Sequence, residues 1–287
     1  MFNFYEKIVS DPIYHRQLSC GDRLITKYNC PLDNKMQGIW SQHNYIAYVM
    51  EGRKIWHTAH GSYDLRKGSC VFVRKGACIV EQFFESVFCI VLFFVSDEFV
   101  CDVLKSKATP LTKAGRKFET IMPVERNEAI DAFFYSMMPY FGSAKHPDPS
   151  LLELKFREII LTIADNPGNS ELQSFFSSLL NQPQAVSLQQ IMNDNYCYNL
   201  RLEEYAQLTN RSLSAFKRDF QKQFDTTPGK WLLEKRLNHA MHLLSNMNKT
   251  VSEAAFESGF ENPSHFSRAF RQHFGVAPGS ARLQSAV

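Results

Sequence analysis

The chain has 287 residues, 44% of them hydrophobic and 21% charged, with a formal net charge of +3 at pH 7. That length suits two domains with a sizeable core in each, and the balance excludes a disordered or fibrous chain. The longest apolar window, VFCIVLFFV at 87–95, is nine residues, about half of what a membrane-crossing helix needs, and no basic start leads into an apolar run at the N-terminus, so a cytoplasmic location is expected.

Residues 1–125 read as many short strands, at 23–28, 45–50, 53–58, 62–66, 70–75, 78–84 and 87–95. Turn signals separate them at Glu51-Gly52, His60-Gly61, Lys67-Gly68 and Lys75-Gly76, which points to a β-sandwich or barrel. The seven cysteines, Cys20, Cys30, Cys70, Cys78, Cys89, Cys101 and Cys197, show no CxxC or zinc-type spacing, so they read as reduced, mostly buried thiols.

The period then changes to that of helices, at 127–141 and 149–165, joined by the Pro/Gly-rich GSAKHPDP. These segments carry more large apolar residues than covering a barrel requires: Phe133, Phe134, Met137, Met138, Leu152, Phe156, Ile159 and Ile163. The surplus predicts an exposed patch and a two-fold dimer contact. ELQSFFSSLLNQPQAVS ends this region, with NQPQ at 181–184 as the expected boundary. The organisation expected is therefore α+β: a β-domain over 1–125, a helical linker and dimerisation region over 126–181, and an all-helical domain over 186–287.

The third region holds the positive excess, because residues 182–287 carry 12 Lys and Arg against 9 Asp and Glu. Helices are expected at 188–196, 200–208, 213–224, 230–247, 251–259 and 263–274. Two of them write nearly the same phrase, SAFKRDFQKQFDTTPG from Ser214 and SHFSRAFRQHFGVAPG from Ser264. At one offset of fifty, Phe216 matches Phe266, Phe220 matches Phe270, Phe224 matches Phe274, and Pro228-Gly229 matches Pro278-Gly279. Two copies are too few for a solenoid, so a duplicated module is expected. Each copy is a short helix, a tight turn and a second helix, the helix-turn-helix arrangement. Ser212 and Asn262 are placed to cap the second helices, and Pro263 takes a first helical position. The phenylalanines form one buried stripe, and the opposite face presents Ser214, Lys217, Arg218, Gln221 and Lys222 in the first copy. In the second copy it presents Ser264, His265, Ser267, Arg268 and Arg271. Such side chains bond phosphates and base acceptors of double-stranded DNA, and arginine grips guanine O6 and N7 together.

Residues 186–282, above all EAAFESGFENPSHFSRAFRQHFGVAPGSAR, resemble the DNA-binding domain of the AraC/XylS family of bacterial transcription regulators. The resemblance rests on Ala255, Gly259-Phe260, Phe266, Phe270, Phe274-Gly275 and Pro278. It implies two helix-turn-helix subdomains joined by a long helix, with base-facing positions at Ser214, Lys217 and Arg218 and at Ser264, His265 and Arg268. It also implies promoter DNA and RNA polymerase as partners. Pro263 stands where the family is often polar, and Asp225 stands where the second copy keeps Gly275.

The front region resembles the cupin-type barrel of many such regulators through GSYDLRKGSCVFVRKGA. In that motif Arg74 replaces the proline of the cupin G-x5-P-x-G spacing, and Ile79 stands where a histidine ligand would be. His57 and His60 lie three apart and do not converge, so no metal is expected. Neither GxSxG, HExxH nor a phosphate-binding glycine loop is present, and no cofactor is expected. The competing reading is a cupin-type metalloenzyme fused to helices. The barrel and helices are also similar to the AraC-like subgroup that activates type III secretion genes and answers to a protein partner. A small-metabolite sensor is the alternative, with Trp40, Tyr45, Tyr48, Trp56 and Tyr63 as candidate stacking residues.

Overall fold

Alternating and continuous apolar runs in the first part of the chain become strands because each has a core to face on one or both sides. The structure, a computed structural model, describes residues 1–11, 15–29, 34–84, 87–111, 118–143, 145–181, 188–247 and 249–284. Cys30 and the expected boundary residues 182–184 lie outside the described residues. The chain divides into two compact units, Met1–Val186 and Ser187–Val287.

The first unit opens with β1 (Phe2–Asn3) and α1 (Phe4–Ser10), followed by β2 (His15–Cys20), β3 (Arg23–Asn29), β4 (Met36–Ser41), β5 (Asn44–Glu51) and β6 (Arg53–His57). Next come β7 (Ser62–Arg66), β8 (Cys70–Val73), β9 (Gly76–Gln82), β10 (Cys89–Val95), α2 (Asp97–Lys105) and β11 (Ile121–Pro123). It closes with α3 (Glu128–Gly142), α4 (Pro149–Asp165), a 3-10 turn at Pro167–Asn169, and α5 (Ser170–Asn181). The strands form one sheet in the order β1-β4-β9-β6-β7 and another in the order β11-β8-β5-β10-β3-β2. The two sheets face each other as two layers over a shared apolar core.

Strand β10 shows why the run CIVLFFV is continuous rather than alternating. It lies between β3 and β5, with Ile90, Leu92 and Phe94 pointing into the inter-sheet core. Val91, Phe93 and Val95 point the other way, into a second core beneath α2 to α5. Both faces are covered, so every residue of the strand is buried. Among the cysteines, Cys20, Cys70, Cys78, Cys89 and Cys101 are free and buried; desolvation pushes the Cys78 thiol up to about 12, which makes it inert.

The expected exposed patch is corrected at its named residues. Phe133, Phe134, Met137, Leu152, Phe156, Ile159 and Ile163 are at most 3% exposed and belong to the second core. The outer face of the six-stranded sheet is itself apolar and absorbs them, as when Phe93 meets Phe133, Phe134 and Phe156 at ring separations of 5.4–5.8 Å. The large apolar residues that α3 and α4 leave outside are Tyr135, Leu151 and Leu154.

The second unit is helical: α6 (Leu188–Asn195), α7 (Leu202–Leu208), α8 (Leu213–Phe224), α9 (Pro228–Asn246), α10 (Val251–Glu257), α11 (Pro263–Phe274) and α12 (Pro278–Gln284). The pairs α7/α8 and α10/α11 are the two copies of the module. Helix α9 packs against α8 as well as against α10, α11 and α12, so it serves both.

Candidate nucleic-acid interface

Helix α8 begins where Ser212 accepts the backbone N–H of Ala215 at 3.3 Å, a cap that satisfies an otherwise free donor. Phe216 and Phe220 are fully buried. Phe216 lies parallel to Tyr205 of α7, and Phe220 meets Phe224 and Trp231. With that stripe inside, Ser214, Lys217, Arg218, Gln221 and Lys222 are all exposed. The structure brings the five expected residues of the first copy onto one solvent face.

Helix α11 repeats the construction with different residues. The Asn262 side chain accepts from the N–H groups of Ser264 and His265 at 2.9 and 3.1 Å, and Pro263 opens the helix where its missing N–H leaves nothing unpaired. Phe266 and Phe270 are fully buried. Ser264, His265, Arg268 and Arg271 are exposed, and Ser267 is half-buried.

The single offset of fifty holds for the second helices but not for the turns. Arg211 N–H bonds to the Ala206 carbonyl and Phe260 N–H to the Ala255 carbonyl, which is a spacing of forty-nine. The left-handed residues Asn210 (φ 54) and Gly259 (φ 83) are also forty-nine apart. Caps Ser212 and Asn262 return to fifty, so the second turn is one residue longer.

The faces also differ in charge. Asp219 of α8 accepts from Arg211 Nε at 3.1 Å and from Arg218 Nε at 3.3 Å. These bonds, that of Arg211 foremost, hold its carboxyl below the ordinary 3.8. Ala269 occupies the equivalent position beside Arg268. Reading the face for its basic residues missed Asp219, although an acidic residue next to Arg218 was its visible signal.

In the first unit the five candidate aromatic residues do not converge. Tyr45 and Trp56 face each other across the inter-sheet core at 6.1 Å, with Tyr63 packed against the same core. Tyr48 points to the helical side, where it stacks on Phe134 at 4.3 Å and donates to Asp131 at 2.9 Å. Trp40 follows Ile39, an inter-sheet core residue, and so points to the opposite face of β4. At the altered cupin turn, buried Arg74 donates to the Phe118 carbonyl at 3.1 Å and Lys75 pairs with Asp97 at 2.6 Å. His57 is bonded to Ser62 and Glu81. No group of three or more His, Cys, Asp or Glu among the described residues could hold a metal ion, and no helix among them is long and apolar enough to cross a membrane.

Residues 44–175 match the ExsA N-terminal regulatory domain family, and residues 205–284 match a helix-turn-helix domain family. The thermoregulatory protein LcrF of Yersinia pestis is 26% identical over 240 residues, which is 83% of this chain and 88% of LcrF. The virulence regulon transcriptional activator VirF of Yersinia enterocolitica has the same identity and coverage. The transcriptional regulator ExsA of Pseudomonas aeruginosa is 24% identical over 250 residues, 87% of each chain. These relatives are transcription regulators, not enzymes. With both halves matched and both helix-turn-helix copies in place, the chain is a DNA-binding transcription regulator of the AraC/XylS family.

Proposed function

We propose that the protein activates transcription by placing α8 and α11 in successive major-groove segments of a promoter. The observation that carries this reading is the pair of capped helices, each with two fully buried phenylalanines on one side and an exposed basic and polar row on the other. Ser214, Lys217 and Arg218 of α8 and Ser264, His265 and Arg268 of α11 face the bases, while Gln221, Lys222, Ser267 and Arg271 reach phosphates. Each chain then covers two boxes about 34 Å apart on one DNA face, without a palindrome. RNA polymerase is the partner through which a bound activator acts, in the cytoplasm. The name of VirF, a transcriptional activator, supports this direction of control.

The first unit supplies the input, a protein partner or a small ligand. For a ligand, Tyr45, Trp56 and Tyr63 are the aromatic residues that share one core. A homodimer contact on the outward faces of α3 and α4 uses Tyr135, Leu151 and Leu154, and holds two DNA-binding units at high effective concentration. Footprinting of the full chain tests the docking: two protected boxes per chain support it, and a single box sinks it. Sedimentation of the Leu154→Glu variant tests the dimer, which should dissociate.

A further inference from the structure

From the last residue of α6 into the connection to α7, four consecutive backbone carbonyls are met by three residues, Tyr205, Arg236 and Gly259. The Asn195 carbonyl accepts the hydroxyl of Tyr205, on α7, at 2.7 Å. The Tyr196 carbonyl accepts Arg236 Nε at 2.6 Å, and the Tyr198 carbonyl accepts Arg236 Nη2 at 2.7 Å. Between them, the Cys197 carbonyl oxygen lies 2.7 Å from the position a Cβ would take on Gly259. Gly259 is the left-handed residue of the second turn, so both its backbone angle and this close approach require glycine. One short segment therefore touches the first helix-turn-helix through Tyr205, the long helix α9 through Arg236, and the second helix-turn-helix through Gly259.

We propose that this segment and Arg236 form the joint that sets the distance and rotation between α8 and α11, making Arg236 a positioning residue for the spacing of the two DNA boxes. Packing against helix α9 places each module, and the Asn195–Tyr198 segment adds a second attachment that both modules share. The planar guanidinium suits the task, because its fork of donors spans two carbonyls at once with charge-assisted bonds. A lysine ammonium is a single point charge and does not reproduce this two-carbonyl fork. Arg236 does this while bonded to backbone, not DNA, so its effect is on geometry rather than on contacts with bases.

The proposal rests on α8 and α11 docking in successive grooves, and its test separates the two ideas. Full-length wild type, Arg236→Ala and Arg236→Lys are titrated against a two-box duplex selected by the wild type, against the same duplex with the boxes moved by one and two base pairs, and against a single box. Two base pairs displace one box by about 7 Å and rotate it by about 70°, so the wild type should lose about tenfold in affinity as simultaneous engagement fails. Both variants should bind the single box as the wild type does, yet lose less than about threefold on the displaced duplex. A full spacing penalty in the variants overturns the role of Arg236. So does loss of the cooperative thermal melt in both, which would make Arg236 a stability residue only. A wild type indifferent to the second box overturns the docking itself.

Discussion

The two helix-turn-helix copies reach similar backbone arrangements, the second with one more residue in its turn, and the differences sort by what each position does. Where the chain must turn left-handed, the copies use Asn210 and Gly259 before the second helix and Asp225 and Gly275 after it. In both places the first copy uses a short polar residue that tolerates the conformation, and the second uses glycine. Where a helix must start, Ser212 and Asn262 both accept backbone N–H groups. The core stripe of the second helices is identical, phenylalanine for phenylalanine, whereas in the first helices buried Tyr205 answers to buried Ala254. The exposed face diverges most: Arg218 is tied to Asp219, whereas Arg268 has Ala269 beside it. Backbone geometry and burial tolerate few solutions, while a solvent face that touches DNA is free to specialise, so the two copies should read different boxes with different strictness.

The comparison breaks most sharply at the turns. Gly259→Ala puts a Cβ against the Cys197 carbonyl and strains a left-handed angle, so urea denaturation should show a loss of about 2–4 kcal/mol in the helical unit. Asn210→Gly, at the equivalent station, should change stability by less than about 1 kcal/mol. If both behave alike, the second turn carries no special packing.

Arg218→Ala and Arg268→Ala should each weaken specific DNA binding by about 1–3 kcal/mol, with the loss confined to a different box for each. Binding to duplexes substituted in one box at a time measures this. Phosphate contact alone would instead lower affinity evenly and reduce the salt slope by about one. No loss in either measurement would remove these faces from the interface.

At the helix C-termini, Gly275→Ala should cost about 1 kcal/mol, from backbone strain alone, because nothing lies within 4 Å of the added carbon. Asp225→Gly should be stabilising by a smaller amount, and equal responses would show that the caps are interchangeable.

The smallest effect on folding is expected for Asp219→Asn. The carboxyl is held below 3.8, so its bonds to Arg211 and Arg218 are complete above that value and lost only as pH falls through the lowered one. At neutral pH the substitution frees Arg218, removes a negative charge from the DNA face and should raise affinity for unrelated sequence. Discrimination in the first box should fall at the same time, while the second box is unchanged; unchanged first-box discrimination would show that the carboxylate does not orient Arg218.

The sequence by itself determined the elements whose signals are local. Helices α8 and α11 were legible to the residue because a cap and a phenylalanine stripe mark each one and a Pro-Gly pair opens the helix that follows, and α4 because a proline opens a long apolar stripe. The exposed basic rows followed directly, since burying the stripe turns them outward. Short elements escaped, α1, α12, β1, β2 and β11, as did β4, whose MQGIWS is interrupted by glycine; α2 was missed although Ser96 caps it and Val100, Cys101, Val103 and Leu104 form a helical stripe. Only the tertiary structure decided which apolar helix residues are core, because that depends on the sheet beneath α3 and α4, whose outer face takes Phe133, Phe134 and Phe156. That Tyr45 and Tyr48, three apart on one strand, take opposite faces follows from the strand period, but only the fold shows that both faces are covered by a core. Arg236 was invisible for a related reason: its partners are the carbonyls of Tyr196 and Tyr198, and a backbone carbonyl is the same at every residue, so only the fold can say which ones meet.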